Sequence, residues 1–120
     1  MSRLEHVNLT VSDPEASAAL IEAVFGWEIL WQGPSQLGGR TIHIGDAQDY
    51  LALYTHDAPA AFPKGQPLNH VGIVVDDLAA TEARVVAAGL TPFNHGDYEP
   101  GRRFYFFDHD GIEFEVVSYA

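Results

Sequence analysis

Residues 4–11 read LEHVNLTV, and residues 68–75 read LNHVGIVV. Each is a strand-like apolar run with a histidine at its third position, His6 and His70, 64 residues apart. An imidazole on an apolar strand costs free energy unless a partner satisfies it. Two of them in the same register point to a repeated unit that uses its histidine in a repeated way. The sequence that follows keeps the same order in both places. In SDPEASAALIEAVFG (12–26), Ser12 or Asp13 can cap a helix, Pro14 suits its first turn and Gly26 its end, while Ala16, Leu20, Ala23 and Val24 share one face. Asp76 or Asp77, a helix from Leu78 to Ala88, and Gly89 repeat that plan.

Three strand-like stretches follow each helix. They are GWEILWQG, GRTIHIGD and YLALYT in the first copy, and LTPFNHG, RRFYFFD and IEFEVVSY in the second. The order is βαβββ, twice, an α+β class, with repeat one over about 3–56 and repeat two over about 68–120. Between them, 57–67 carries Pro59, Pro63 and Pro67 and reads as an extended connector. One such unit is too small to bury its own sheet face. The two are therefore expected to make a single domain over residues 1–120, a curved mixed sheet around a cavity with the helices outside. His6 and His70 would then face each other across the cavity.

Composition narrows the function. At 120 residues, 47% hydrophobic and 12% aromatic, the chain can bury a core. It has no cysteine, which excludes disulfides, thiolate metal sites and a cysteine nucleophile. Seventeen acidic against six basic side chains give a net charge of −11, which repels a phosphate backbone and argues against nucleic acid. No apolar run approaches the roughly 20 residues of a membrane span, and the N-terminus lacks a signal-peptide core. A cytoplasmic protein with no membrane partner is expected.

The last strand carries the second chemical signal. In DHDGIEFEVVSY (108–119), strand alternation sets Glu113 and Glu115 on one face and Phe114 and Val116 on the other. If the apolar set packs under the helices, the glutamates face the cavity and need a partner there, such as a metal ion. An offset of 63 residues sets Glu115 against Ala52 of the first copy. Three of four symmetric ligand positions, His6, His70 and Glu115, are thus filled. Two imidazoles and a carboxylate with open positions suit a divalent Fe, Mn, Zn or Ni ion that meets a substrate. Glu113 is a candidate general base, a fourth ligand, or a supporting carboxylate. Asn8 shares a face with His6, and Tyr50 and Tyr54 share one with Ala52, so these are candidate pocket walls. His43 and His95 are candidates to line the cavity, whereas His56 and His109 fall at a strand end and in a turn. NHGDYEPGRR (94–103) reads as a Gly and Pro loop over the mouth.

On the strands LEHVNLTV and LNHVGIVVDD, the paired βαβββ order and FYFFDHDGIEFEVV, the chain resembles the vicinal oxygen chelate superfamily. That group holds glyoxalase I, extradiol dioxygenases, fosfomycin-modifying thiol transferases and bleomycin resistance proteins. The resemblance implies His6, His70 and Glu115 as metal ligands. It places an aromatic hydroxyl near the metal, which makes Tyr105 a candidate catalytic hydroxyl; Arg103, on the same strand face, is a candidate binder of an anionic substrate group, and the equal alternative is Tyr105 as ordinary core and Arg103 as a solvated strand end. It also implies a small-molecule substrate and a homodimer whose sites form within a chain or between chains. Ala52 departs from the glyoxalase I pattern, and no basic, serine-containing anion site of the fosfomycin type lies between Phe93 and Arg103. The expectation is a metal-dependent lyase, thiol transferase or dioxygenase. The alternative is a metal-free sequestering protein of the bleomycin resistance kind.

Overall fold

The computed structural model describes residues 4–36, 38–46, 48–56, 68–98 and 101–120. The chain divides into two compact units, Met1–Ala60 and Ala61–Ala120. The connector expected over 57–67 lies outside the described residues.

In the first unit, β1 (His6–Thr10) leads into α1 (Pro14–Phe25), followed by β2 (Glu28–Pro34), β3 (Arg40–Gly45) and β4 (Tyr50–Thr55). The four strands form a mixed sheet in the order β1-β4-β3-β2, with β1 parallel to β4 and the remaining pairs antiparallel. Of the two candidate caps, Asp13 is the one used: its carboxylate accepts from the Ala16 amide at 3.2 Å. Gly26, at φ 72°, ends the helix in the left-handed region that favours glycine.

The second unit repeats the design. β5 (Val71–Val74) precedes α2 (Leu78–Ala87), and β6 (Phe93–Tyr98), β7 (Gly101–Phe107) and β8 (Glu113–Ser118) follow. The sheet order is β5-β8-β7-β6, again with one parallel pair, β5 and β8. Asp77 caps α2 through the Ala80 amide at 3.0 Å. At the other end, the amides of Gly89 and Leu90 return to the carbonyls of Val86 and Val85 at 2.9 and 3.1 Å, closing the last turn.

One face of each sheet is sealed by its helix. Leu20, Ile21 and Val24 of α1 are buried, as are Ile42, Ile44, Leu51 and Leu53 of the strands it packs on. In the second unit Val85 of α2 is buried, together with Phe104, Phe106, Phe114 and Val116, and the rings of Phe106 and Phe114 stack at 5.2 Å. Strand alternation therefore sends the intervening residues to the other face. These are Thr41, His43, Tyr50, Ala52 and Tyr54 in one unit, and Arg103, Tyr105, Glu113 and Glu115 in the other.

Two expectations are corrected. Residues 94–98 and 101–103 are not a loop but the facing ends of the antiparallel pair β6 and β7. Asn94, at φ 54°, and a register shift between Phe93 and Gly96 absorb the turn-prone residues without ending the strand. The same irregularity redirects His95. Instead of lining a cavity, it stacks on Phe104 at 6.0 Å and bonds Glu82 of α2 at 2.9 Å, on the helix side.

Candidate functional site

In the second unit, the parallel pairing Val71↔Phe114 brings the start of β5 alongside β8, and with it His70 beside the two glutamates. His70 Nε2 lies 3.0 Å from Glu115 Oε1. Glu115 Oε2 in turn accepts from Arg103 Nη1 at 2.8 Å, so its two oxygens have separate tasks. On the opposite edge of the imidazole, Nδ1 lies 2.8 Å from Asn69 Oδ1 and 3.8 Å from Glu113 Oε2. As the Asn69 amide is placed, both ring nitrogens face oxygen. A neutral imidazole has one N–H, and with Nδ1–H donated to Asn69, Nε2 presents a lone pair to a carboxylate. Such a contact is favourable only with a second proton or a cation to share. The 3.0 Å separation is also that of two neighbouring donors about 2.1 Å from an octahedral cation. His70 and Glu115 are thus chemically and geometrically fit to hold a divalent ion between them.

Two further residues belong to this face. Tyr105 pairs with Glu115 across β7 and β8, and its ring meets His70 edge-on at 5.9 Å. Arg103 directs Nη1 at Glu115. Among the described residues, no group of three or more His, Asp or Glu side chains is clustered tightly enough to hold an ion. Two of the three ligands expected from the sequence are therefore brought together by the second unit, and His6 belongs to the first.

The face of the first unit away from its helix carries a row of rings. His6 stacks on Tyr50 at 4.8 Å, Tyr50 on His43 at 4.5 Å, and His43 lies 4.9 Å from Trp31, so the row spans all four strands. These rings, with Asn8, Ala52 and Tyr54, line an open concavity of about 820 Å³. Glu5 anchors one end of the row, accepting from His6 Nδ1 at 2.8 Å and from the Tyr50 hydroxyl at 3.2 Å. Burial lowers the His43 pKa, the neighbouring His6 lowers it further, and Glu5 opposes both. Desolvation and the Glu5 carboxylate raise that of Tyr50. At the position matching Glu115 stands Ala52, as His43↔Ala52 and Tyr105↔Glu115 occupy equivalent places in the two registers. The first unit supplies aromatic surface where the second supplies charge.

Sequence reasoning missed Trp31, Glu5 and Asn69. Trp31 reaches His43 only because β2 shifts register between Ile29 and Trp31. Glu5 and Asn69 each precede a singled-out histidine, and that shared position was the available signal. His56 and His109 are exposed.

A model of the Glyoxalase/Bleomycin resistance protein/Dioxygenase superfamily matches residues 3–116. No curated protein matches the chain. Among solved structures, a glyoxylase/bleomycin resistance protein/dioxygenase domain from Frankia sp. EAN1pec is 25% identical, with 98% of each chain covered and a TM-score of 0.86. The fosfomycin resistance protein FosX from Listeria monocytogenes, solved with Mn(II) and a sulfate ion, is 20% identical at a TM-score of 0.77, over 98% of this chain and 93% of its own. FosX from Mesorhizobium loti is 23% identical at 0.75, over 98% and 92%. At these last two identities the likeness is one of fold. Among the described residues, no helix is long and apolar enough to cross a membrane.

Proposed function

The chain belongs to the Glyoxalase/Bleomycin resistance protein/Dioxygenase superfamily, and from that premise we propose that it is a small metal-dependent enzyme acting on neighbouring oxygens of a small molecule. In this reading the two units make one functional domain, and His70, Glu115 and His6 hold a divalent ion. His6 comes from the same chain or from a second copy in a homodimer. The observation that carries the proposal is the contact of His70 Nε2 with Glu115 Oε1 at 3.0 Å, on the sheet face away from the helix. That FosX from Listeria was solved with Mn(II) agrees with it.

Once bound, a divalent ion supplies Lewis acidity to the substrate oxygens. The chain's own residues do the remaining work. Arg103 holds Glu115 Oε2 and so leaves Oε1 as the single oxygen offered as a ligand. Tyr105, alongside Glu115, donates its hydroxyl to a substrate oxygen as negative charge develops there. In this reading the open concavity around Trp31, His43, Tyr50 and Tyr54 of the first unit is a surface for an apolar part of a small molecule. The absence of a fourth ligand at Ala52 leaves room for substrate oxygens.

A metal-free binding protein is the second reading, favoured by one observation: no third His, Asp or Glu completes a cluster among the described residues. Calorimetric titration of metal-free protein with Mn(II) and Zn(II) separates the two. The enzyme reading expects stoichiometric uptake, lost in His70→Ala, and turnover of one substrate from a panel of catechols with O2, hemithioacetals, and epoxides with thiols. No uptake by the wild type, with tight binding of an aromatic ligand, establishes the second reading instead.

A further inference from the structure

We infer that the residue preceding each histidine, with the side chain opposite it on the neighbouring parallel strand, holds the proton on Nδ1 and so commits Nε2 to the ligand position. This rests on the metal-site reading above and names four positioning residues for it: Glu5 and Tyr50 for His6, Asn69 and Glu113 for His70.

The observation is a correspondence that the repeat alone does not require. Glu5 Oε1 lies 2.8 Å from His6 Nδ1, and Asn69 Oδ1 lies 2.8 Å from His70 Nδ1. Tyr50 stands beside His6 in the β1–β4 register, and its hydroxyl donates to the same Glu5 oxygen at 3.2 Å. Glu113 holds the matching place in the second unit, its Oε2 3.8 Å from His70 Nδ1. Each histidine thus has an oxygen of the preceding residue at Nδ1, and a second polar group from the partner strand, which bonds that oxygen in the first unit and lies 3.8 Å from Nδ1 in the second. The carboxylate precedes the histidine in the first unit and sits on the partner strand in the second. The amino acids have exchanged places while an oxygen at Nδ1 is kept.

The consequence follows from imidazole chemistry. Free histidine in neutral form carries its proton mainly on Nε2, and that tautomer cannot bind a metal through Nε2. An oxygen acceptor fixed at Nδ1 reverses the preference, orients the ring and makes Nε2 more basic, which is how supporting carboxylates and carbonyls act on metal-binding histidines. For Glu113 this favours one of three roles. Glu115 stands at Nε2 and Glu113 at Nδ1, on the opposite edge of the ring. We therefore assign Glu113 to the Nδ1 side of His70, as a supporting carboxylate.

The test is nitrogen NMR on protein labelled at histidine, metal-free and at about pH 9, where an ordinary imidazole is neutral. His6 is expected as the Nδ1–H tautomer, and so is His70 once Glu115→Leu removes the competing acceptor 3.0 Å from its Nε2. In the Glu115→Leu protein, Asn69→Ala combined with Glu113→Ala, which leaves no oxygen at Nδ1, should move His70 toward Nε2–H, and with Glu115 intact the same pair should weaken Mn(II) binding by about 10- to 100-fold. Glu5→Ala should move His6 in the same way, whereas Asn69→Asp, which keeps an oxygen at Nδ1, should leave His70 unchanged. A purely structural role would lower melting temperature without altering the tautomer. Wild-type His6 found as Nε2–H, His70 found as Nε2–H in the Glu115→Leu protein, or a His70 tautomer unmoved when Asn69→Ala and Glu113→Ala are added to it, overturns the inference. Because the tautomer is read without metal, a wild type that takes up no Mn(II) refutes the metal-site reading separately.

Discussion

Replacing Arg103 by leucine removes the guanidinium that holds Glu115 Oε2 at 2.8 Å. The two side chains keep only 16% and 13% of their surface in water, so the carboxylate left behind has little solvent to replace its partner. Breaking a fully buried pair on one side costs about 3–5 kcal/mol, and the residual exposure here screens that to about 2–3 kcal/mol. For a domain of this size each kcal/mol moves Tm by about 3–5 °C, so Arg103→Leu should lower it by about 6–15 °C. The double variant Arg103→Leu, Glu115→Leu removes both charges and should recover most of the loss, since exchanging both partners for apolar groups is close to neutral. Scanning calorimetry of the wild type, both single variants and the double, all in chelator, closes the cycle. A loss below about 0.5 kcal/mol for Arg103→Leu, the range of an ordinary surface change, would refute the reasoning. So would a double variant whose loss equals the sum of the singles.

Further perturbations test the frame around the site. Phe114→Ala, at a ring 2% exposed and stacked on Phe106, should cost about 3–5 kcal/mol in denaturant unfolding. Asp77→Ala removes the α2 cap and should cost about 1 kcal/mol in the same assay. Burial raises the Asp108 pKa above its ordinary 3.8, against the opposing pull of the Ile112 and Asp110 amides it accepts. The folded state then holds that proton more tightly than the unfolded chain, so this group's contribution is complete below the unfolded pKa and lost as pH rises through the folded one. Asp108→Asn, which keeps the accepting oxygen, should remove that part of the pH slope in a denaturation series. An unchanged slope would assign it to other groups.

Where the sequence carried period and punctuation, it could be read. The caps at Asp13 and Asp77, the terminal Gly26 and Gly89, and the echo of His6 in His70 gave two βαβββ units. The alternation of Glu113, Phe114, Glu115 and Val116 gave the division between the helix face and the other. Irregular backbone was not legible, because periodicity assumes an unbroken ladder. One shift in β2 brings Trp31 to His43, and another in β6 carries His95 to Glu82. Local side-chain choices were also hidden. The shared position before each histidine marks Glu5 and Asn69, but spacing does not say that they fold back onto the next residue's Nδ1, or that Arg103 is directed at Glu115. Those contacts depend on rotamers set by packing.

If His70 and Glu115 hold a divalent ion, loss of the Glu115 charge must release it. Metal content of protein purified without a histidine tag and dialysed against Mn(II), measured by mass spectrometry for the wild type and for Glu115→Gln, tests this most directly. About one ion per chain is expected in the wild type, as for a single site of this kind, and far less in the variant, whose amide is a weaker, uncharged ligand. Equal metal in both proteins, or none in the wild type, would contradict this.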